Sequence, residues 1–377
     1  MLLMIPGPIE LSPAVKAAAQ DVPSHVAPDF IDAFGRVLGG MRAVWRAPDG
    51  AQPFVLAGSG TLAMEVAAVN LIAPDDPVLV VDTGYFSARM ALMLERRGAL
   101  VRRVPAEPGH TVPPEAVAAA LQAAPAKAVF ITHVDTSTGV RADVAAIAKI
   151  AKAHGSLVVV DGVCATVGER LDQSADEVDV YLTASQKAIG APPGLAMLVA
   201  SPAALAARAA LSTPPPLSMD FDSWRPIMEA YEDGRPSYFG TPATSLVLAA
   251  DAAIAEIGDV ESAWTRHQAV ADRMRAAWTH LGLSLLPARE DLAANTLSAI
   301  HYPDGVDASF LGGVKERGVV VAGGLHPLLK DSYFRVGHMG WVTTQPQLLA
   351  QTVRAIGEAL YDAGHTGDIA AAVSAVQ

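Results

Sequence analysis

The chain has 377 residues, 51% of them hydrophobic and 18% charged, so it can bury a large core, and its length suggests two domains. Its 39 acidic against 27 basic residues give a formal charge of −12, which argues against a nucleic-acid partner, since phosphate backbones are met by basic faces. One cysteine, Cys164, excludes an internal disulfide framework and a cysteine-built zinc site, and points to a reducing, cytoplasmic setting.

The first eight residues have no basic start and are too short for a secretory signal. The best apolar run, 195–210, is interrupted by Ser201, Pro202 and Arg208, so no membrane span is expected. Through the first half, short β-branched runs alternate with alanine-rich helical patterns. Residues 54–57 read as a strand, followed by a glycine turn at 58–61 and a helix from Leu62. Strand 78–81 precedes a helix over 86–96, and strand 128–132 precedes a polar turn at 135–139 and a helix over 144–153. Strand 157–160 ends at Asp161, and strand 178–183 ends at Ser185-Gln186-Lys187. This alternation predicts an α/β fold, a mostly parallel sheet covered by helices on both faces. Ligands of such sheets sit beyond the carboxyl ends of the strands, where Ser59, Gly60, Thr61, Phe86, Thr136, Asp161 and Lys187 all fall.

Thr213-Pro214-Pro215-Pro216 opens a stretch expected to be irregular as far as Pro242, through Trp224, Tyr231 and Gly234. A long helical pattern over 245–281 follows, with an interruption at Gly258. A smaller α+β unit comes last, with strands near 296–301, 319–321 and 333–336 and a final helix over 345–361. The expected organisation is an N-terminal arm (1–16), a large domain (17–255), a small domain (256–363) and a tail (364–377) that frays.

A lysine at a strand end among small and apolar residues, as Lys187 is, becomes partly desolvated; this lowers its pKa and makes the amine nucleophilic towards an aldehyde. Asp161, after four apolar residues, could keep a pyridine nitrogen protonated, and the 26 positions separating the two fit one β–α–β step. Gly58-Ser59-Gly60-Thr61 ahead of a helix offers N–H groups and hydroxyls to a phosphate. It is neither a P-loop nor a dinucleotide fingerprint, because Ala63 stands where the third glycine belongs. Arg335 could pair a carboxylate in bidentate fashion, and Phe86 could stack on a planar ring. Each has an ordinary alternative: a surface lysine, a turn-capping aspartate, a plain glycine turn, an edge-strand arginine, a core aromatic. His25, His133 and His338 lack metal-ligand spacing and read as structural, and Cys164 reads as an inert core thiol.

Together these segments resemble the class V, fold-type I aminotransferases that use pyridoxal 5′-phosphate, in particular the alanine–glyoxylate and serine–glyoxylate or serine–pyruvate group. The motifs run in the family's order: Pro6-Gly7-Pro8, Gly58-Ser59-Gly60-Thr61, 133–139, Val160-Asp161, Ser185-Gln186-Lys187 with Ala191-Pro192-Pro193-Gly194, 238–242 and 335–340. Stretches 52–61, 133–138, 183–192 and 321–324 are most similar to the family's fungal alanine–glyoxylate branch. The resemblance covers residues 5 to about 361. It implies a seven-stranded type of sheet, with Lys187 as covalent anchor and base and Asp161 at the ring nitrogen. Phe86 and Val163 would face the ring from its two sides, Thr136 would lie near the ring oxygen, and Ser59, Gly60, Thr61 and Gln186 would hold the phosphate. Tyr238 and Thr241 would complete the phosphate site from the second subunit of a homodimer, and Arg335, with Gly7, would bind the substrate. Where family members often show Gly-His-x-Ser-Pro-x-Phe near the substrate pocket, this chain reads Ser24-His25-Val26-Ala27-Pro28-Asp29-Phe30.

The implied reaction is a ping-pong transamination between an amino acid and a 2-oxo acid, with alanine as donor and glyoxylate as acceptor. Serine–glyoxylate, serine–pyruvate and pyridoxamine–pyruvate exchange are alternatives within the same chemistry. A cysteine desulfurase usually has a histidine directly before its lysine, where this chain has Gln186. A non-catalytic sensor built on the same fold would usually carry a fused DNA-binding domain and a basic surface, and the sequence has neither.

Overall fold

A computed structural model describes residues 1–377. Seven strands, β1 (Gln52–Ala57), β2 (Pro77–Asp82), β3 (Leu100–Pro105), β4 (Ala128–Thr132), β5 (Leu157–Asp161), β6 (Val180–Ala184) and β7 (Leu195–Ala200), form one sheet in the order β1-β7-β6-β5-β4-β2-β3. Only β7 runs against the others. Every residue of β4, β6 and β7 is buried, because helices cover both faces; this is why these strands read as continuous apolar runs rather than alternating ones. The edge strand β3 is half-exposed and carries Arg102 and Arg103, the charged dress of a sheet edge, which hides it from an apolar-run reading.

The helices Gly60–Leu71, Tyr85–Arg96 and Val144–Ala153 follow β1, β2 and β4. Gly258, with φ of 62°, separates the helices Thr244–Ile257 and Val260–His280, as its place in the pattern suggested. A second, smaller sheet pairs Leu297–His301, Tyr333–Gly337 and Ala322–Gly323 antiparallel, next to the helix Pro346–Asp362. Its apolar core gathers Trp278, Phe310 and Phe334, while the main core fills both faces of the large sheet. The N-terminal arm spans the two: Leu2–Leu3 pairs with Val319–Val320, and the Ile9 N–H donates to the Gln186 carbonyl at 3.3 Å. No helix is long and apolar enough to cross a membrane.

Two expectations are corrected. The stretch after the prolines is not irregular throughout: Phe221–Glu232 is a helix capped by Asp220. Pro226 removes one N–H from its interior, but Phe221, Ile227, Met228 and Tyr231 are buried, and Phe221 stacks on Phe54 with ring centres 4.4 Å apart. The tail does not fray either. Ile369–Ala375 forms a helix capped by Asp368, and it buries Ala372 and Val373 in the core shared with Trp278 and Leu360. Small alanine side chains let this helix approach closely, a signal that resembles plain compositional bias in the sequence.

Candidate active site

Six of the seven strands point their carboxyl ends to one edge of the sheet, and a cavity of about 220 Å³ lies there. Gly7, Ser59, Gly60, Thr61, Phe86, Thr136, Asp161, Val163, Gln186 and Lys187 line it, together with Met64, Arg89, Val134 and Cys164. Short turns and helix starts after β1, β2, β4, β5 and β6 place most of them, and the N-terminal segment brings Gly7.

Lys187 sits three residues beyond β6 in a loop closed by Ser185, whose Oγ donates to the Pro192 carbonyl at 2.6 Å and accepts the Leu195 N–H at 3.1 Å. The side chain is buried, and its Nζ donates to the Pro6 carbonyl. Burial pushes its pKa below the ordinary lysine value; the Arg335 charge acts in the same direction, while Cys164 and Asp161 oppose it. Gly7 lies against this side chain with φ of +116°, and a Cβ there would stand 2.7 Å from Lys187 Cδ, so only glycine fits.

Asp161 ends β5 and is 4% exposed. Its Oδ1 accepts the Val163 N–H at 2.9 Å, and no group of the chain donates to its Oδ2. Burial raises its pKa to about 6, with Asp135 adding to the effect. A cationic N–H facing Oδ2 would restore the carboxylate.

At the helix Gly60–Leu71, Ser59 stands at the N-cap position but makes no capping bond, which leaves its hydroxyl and the first N–H groups of the helix unpaired within the chain. Gln186 Oε1 is buried without a partner, and a Cβ on Gly60 would come 2.8 Å from Val163 Cγ2. An unpaired carboxylate oxygen, a buried amine and an open anion cradle in one cavity fit pyridoxal phosphate.

The aromatic wall is fixed from across the sheet. Asp135 is fully buried; its Oδ2 accepts the N–H groups of Phe86 at 3.1 Å and Ser87 at 3.3 Å, and its Oδ1 accepts Ser137 N–H at 3.0 Å and Ser137 Oγ–H at 2.6 Å. Ser137 Oγ in turn accepts the Tyr85 N–H at 3.0 Å. Arg335 abuts the cavity rather than lining it: Nη1 donates to the Thr136 carbonyl at 3.0 Å and Nε to the Gly323 carbonyl at 2.9 Å.

Tyr238 is 66% exposed, and Thr241 lines a separate cavity with Trp224 and Tyr231, so neither lines the Lys187 cavity of its own chain. His133 and His338 are buried with pKa values pushed down to about 3 by burial, as neutral structural groups would be. His25 lies beside Tyr238, ring centres 5.5 Å apart. Met64, Arg89, Val134 and Asp135 were not anticipated. Arg89 was detectable in principle: three positions after Phe86, it shares that residue's helix face. Cys164 is a buried thiol, as read, but it faces the cavity, with its Sγ 3.8 Å from Thr296 Oγ1.

The family model for class V aminotransferases matches residues 23–343. The chain is 41% identical to alanine–glyoxylate aminotransferase 1 of Saccharomyces cerevisiae, over 90% of this chain and 91% of that one. It is 32% identical to serine–glyoxylate aminotransferase of Hyphomicrobium methylovorum, over 90% and 84% of the two chains. The crystal structure of pyridoxamine–pyruvate aminotransferase from Mesorhizobium loti superposes with a TM-score of 0.90 at 29% identity, over all of this chain and 96% of that one. On the strength of a match spanning most of its length, the chain belongs to the class V aminotransferases, pyridoxal phosphate-dependent enzymes of fold type I.

Proposed function

We propose that this aminotransferase moves an amino group from L-alanine to glyoxylate, giving pyruvate and glycine, and that it works as a homodimer whose subunits share their active sites. One observation carries the reading: a single cavity holds a buried amine with a lowered pKa and a carboxylate with one oxygen unpaired. The 41% identity to the yeast alanine–glyoxylate enzyme supports the choice of donor and acceptor.

When bound, pyridoxal phosphate supplies an electron-poor ring that acidifies the Cα–H bond of an attached amino acid. Lys187 serves as anchor and base. Its lowered pKa favours the neutral amine, which would anchor the cofactor and whose Nζ would serve as the base for the Cα proton. Asp161 Oδ2, which no group of the chain donates to, would hold a proton on the ring nitrogen. Phe86, Val163 and Thr136 line the same cavity, where the first two would cover the ring faces and exclude water and the third would lie near the ring oxygen. Ser59, Gly60, Thr61 and Gln186 would hold the phosphate together with Tyr238 and Thr241 of the partner subunit, a role that the exposure of Tyr238 supports. The Arg335 fork, oriented by its two carbonyl bonds, receives the substrate carboxylate beside Gly7.

The test is a panel of half-reactions with alanine, serine, glutamate, aspartate and pyridoxamine, each followed by the cofactor's visible absorbance and then by recovery with glyoxylate or pyruvate. An apolar pocket discriminates against an added hydroxyl by only about 100-fold, so slow turnover of serine is compatible with the proposal. Alanine as fastest donor and glyoxylate as best acceptor is the expected result. Serine or pyridoxamine reacting faster would reassign the donor, and no response to any donor would overturn aminotransfer.

A further inference from the structure

The cavity contains a second cation besides Lys187. Arg89, half-buried on the helix Tyr85–Arg96, donates from Nη1 to Thr61 Oγ1 at 3.1 Å and from Nη2 to Tyr85 Oη at 3.0 Å, and it makes no ion pair with any carboxylate. Its Cζ lies 5.1 Å from the Phe86 ring centre and 4.8 Å from that of Tyr85. A guanidinium stays charged in any protein environment, and one that lines a cavity with no carboxylate paired to it is free to take an anion there. The anion cradle is its immediate neighbour, because Thr61 belongs to both.

We propose that Arg89 is a phosphate-binding residue of this site, supplying the counter-charge for the cofactor's phosphate monoester and orienting Thr61 towards it. The second role follows from hydrogen-bond counting. With its oxygen accepting from Arg89, the Thr61 hydroxyl turns its own proton away from the guanidinium and donates it into the cavity. Because it also lies over the Phe86 ring, the same guanidinium couples the phosphate end of the site to the aromatic wall. The proposal rests on the aminotransferase reading of the cavity, and the experiment separates the two.

Cofactor-stripped wild type, R89Q and R89K are titrated with pyridoxal 5′-phosphate and with pyridoxal, which lacks the phosphate, by equilibrium dialysis. Losing a charge-assisted bond should raise the R89Q Kd for the phosphate ester about ten- to hundredfold, while the Kd for pyridoxal moves less than about threefold. R89K keeps the charge and should recover part of that selectivity, which guards against a variant that merely folds poorly. At saturating cofactor, the KM for the amino acid should stay within about threefold of wild type. Equal weakening of both ligands, or an unchanged Kd for the phosphate ester, overturns the proposal. A rise in amino-acid KM with cofactor affinity intact also overturns it, by assigning Arg89 to the substrate carboxylate. A wild-type protein that binds neither ligand overturns the aminotransferase reading itself, and this proposal with it.

Discussion

Asp135 Oδ2 accepts the backbone N–H of Phe86 at 3.1 Å, tying the turn after β4 to a helix that begins about 50 residues earlier. The aromatic wall of the cavity is therefore held through its backbone by a buried carboxylate that does not itself line the cavity. Replacing Asp135 with alanine leaves the N–H groups of Phe86, Ser87 and Ser137 unpaired in a buried place. At about 1–3 kcal/mol for each such group, and without full additivity, D135A should lose about 3 kcal/mol in urea unfolding. A loss below about 1 kcal/mol would mean that this network does not fix the wall.

Asp161 makes the cofactor-free protein sensitive to pH in an unusual direction. Its folded pKa of about 6 lies above the ordinary 3.8, so between those values the folded chain keeps a proton that the unfolded chain has released. Stability from this group is therefore lost as pH rises through the window, and the loss is complete above about pH 6. Stripped D161N should be more stable than stripped wild type by up to about 3 kcal/mol near neutrality, with the gap closing towards pH 3.8. With cofactor present the order should reverse, because the ring nitrogen loses its partner. Denaturation at both pH values checks the sign; a pH-independent gap contradicts it.

His267 acts the opposite way. Its Nδ1 donates to the Ala263 carbonyl at 2.8 Å and its Nε2 accepts the Gly340 N–H at 3.0 Å, an arrangement only the neutral ring can satisfy. Burial holds its pKa down at about 4, below the ordinary 6.5, so its stabilisation is whole above about 6.5 and is lost as pH falls towards 4. By about pH 5 the loss is ~2 kcal/mol. H267Q, which can still donate and accept, should show a shallower fall in Tm between neutrality and pH 5 than wild type. Parallel slopes would remove His267 from the account.

Arg335 is held by carbonyls on two sides and has donors to spare. R335Q should raise KM for both amino and 2-oxo acids about ten- to hundredfold while cofactor affinity stays within about threefold. Steady-state kinetics paired with cofactor titration test this; an unchanged KM would move the carboxylate site elsewhere.

Much of this was legible in the chain itself. Strands buried on both faces announce themselves as apolar runs, one of which ends at Asp161 while another stops three residues short of Lys187. What escaped had physical reasons. Strand β3 carries Arg102 and Arg103 because it is an edge, and the Phe221–Glu232 helix tolerates Pro226 because its packing outweighs one missing bond. Asp135 meets Phe86 from 49 positions away, a distance at which sequence spacing carries no signal, and the same holds for the 28 positions between Arg89 and Thr61, although Arg89 shares a helix face with Phe86. Arg335 stands out in the sequence as a carboxylate partner on a strand of the small sheet, but nothing local shows that its guanidinium reaches the Thr136 carbonyl.

The central claim concerns one amine among the chain's 7 lysines. Borohydride reduction of the cofactor-loaded protein, followed by proteolysis and mass spectrometry, reads it directly. The predicted result is a phosphopyridoxyl adduct on the peptide containing Lys187, absent from K187A. An adduct on Lys16, Lys127, Lys149, Lys152, Lys315 or Lys330 instead, or none at all, would contradict the account.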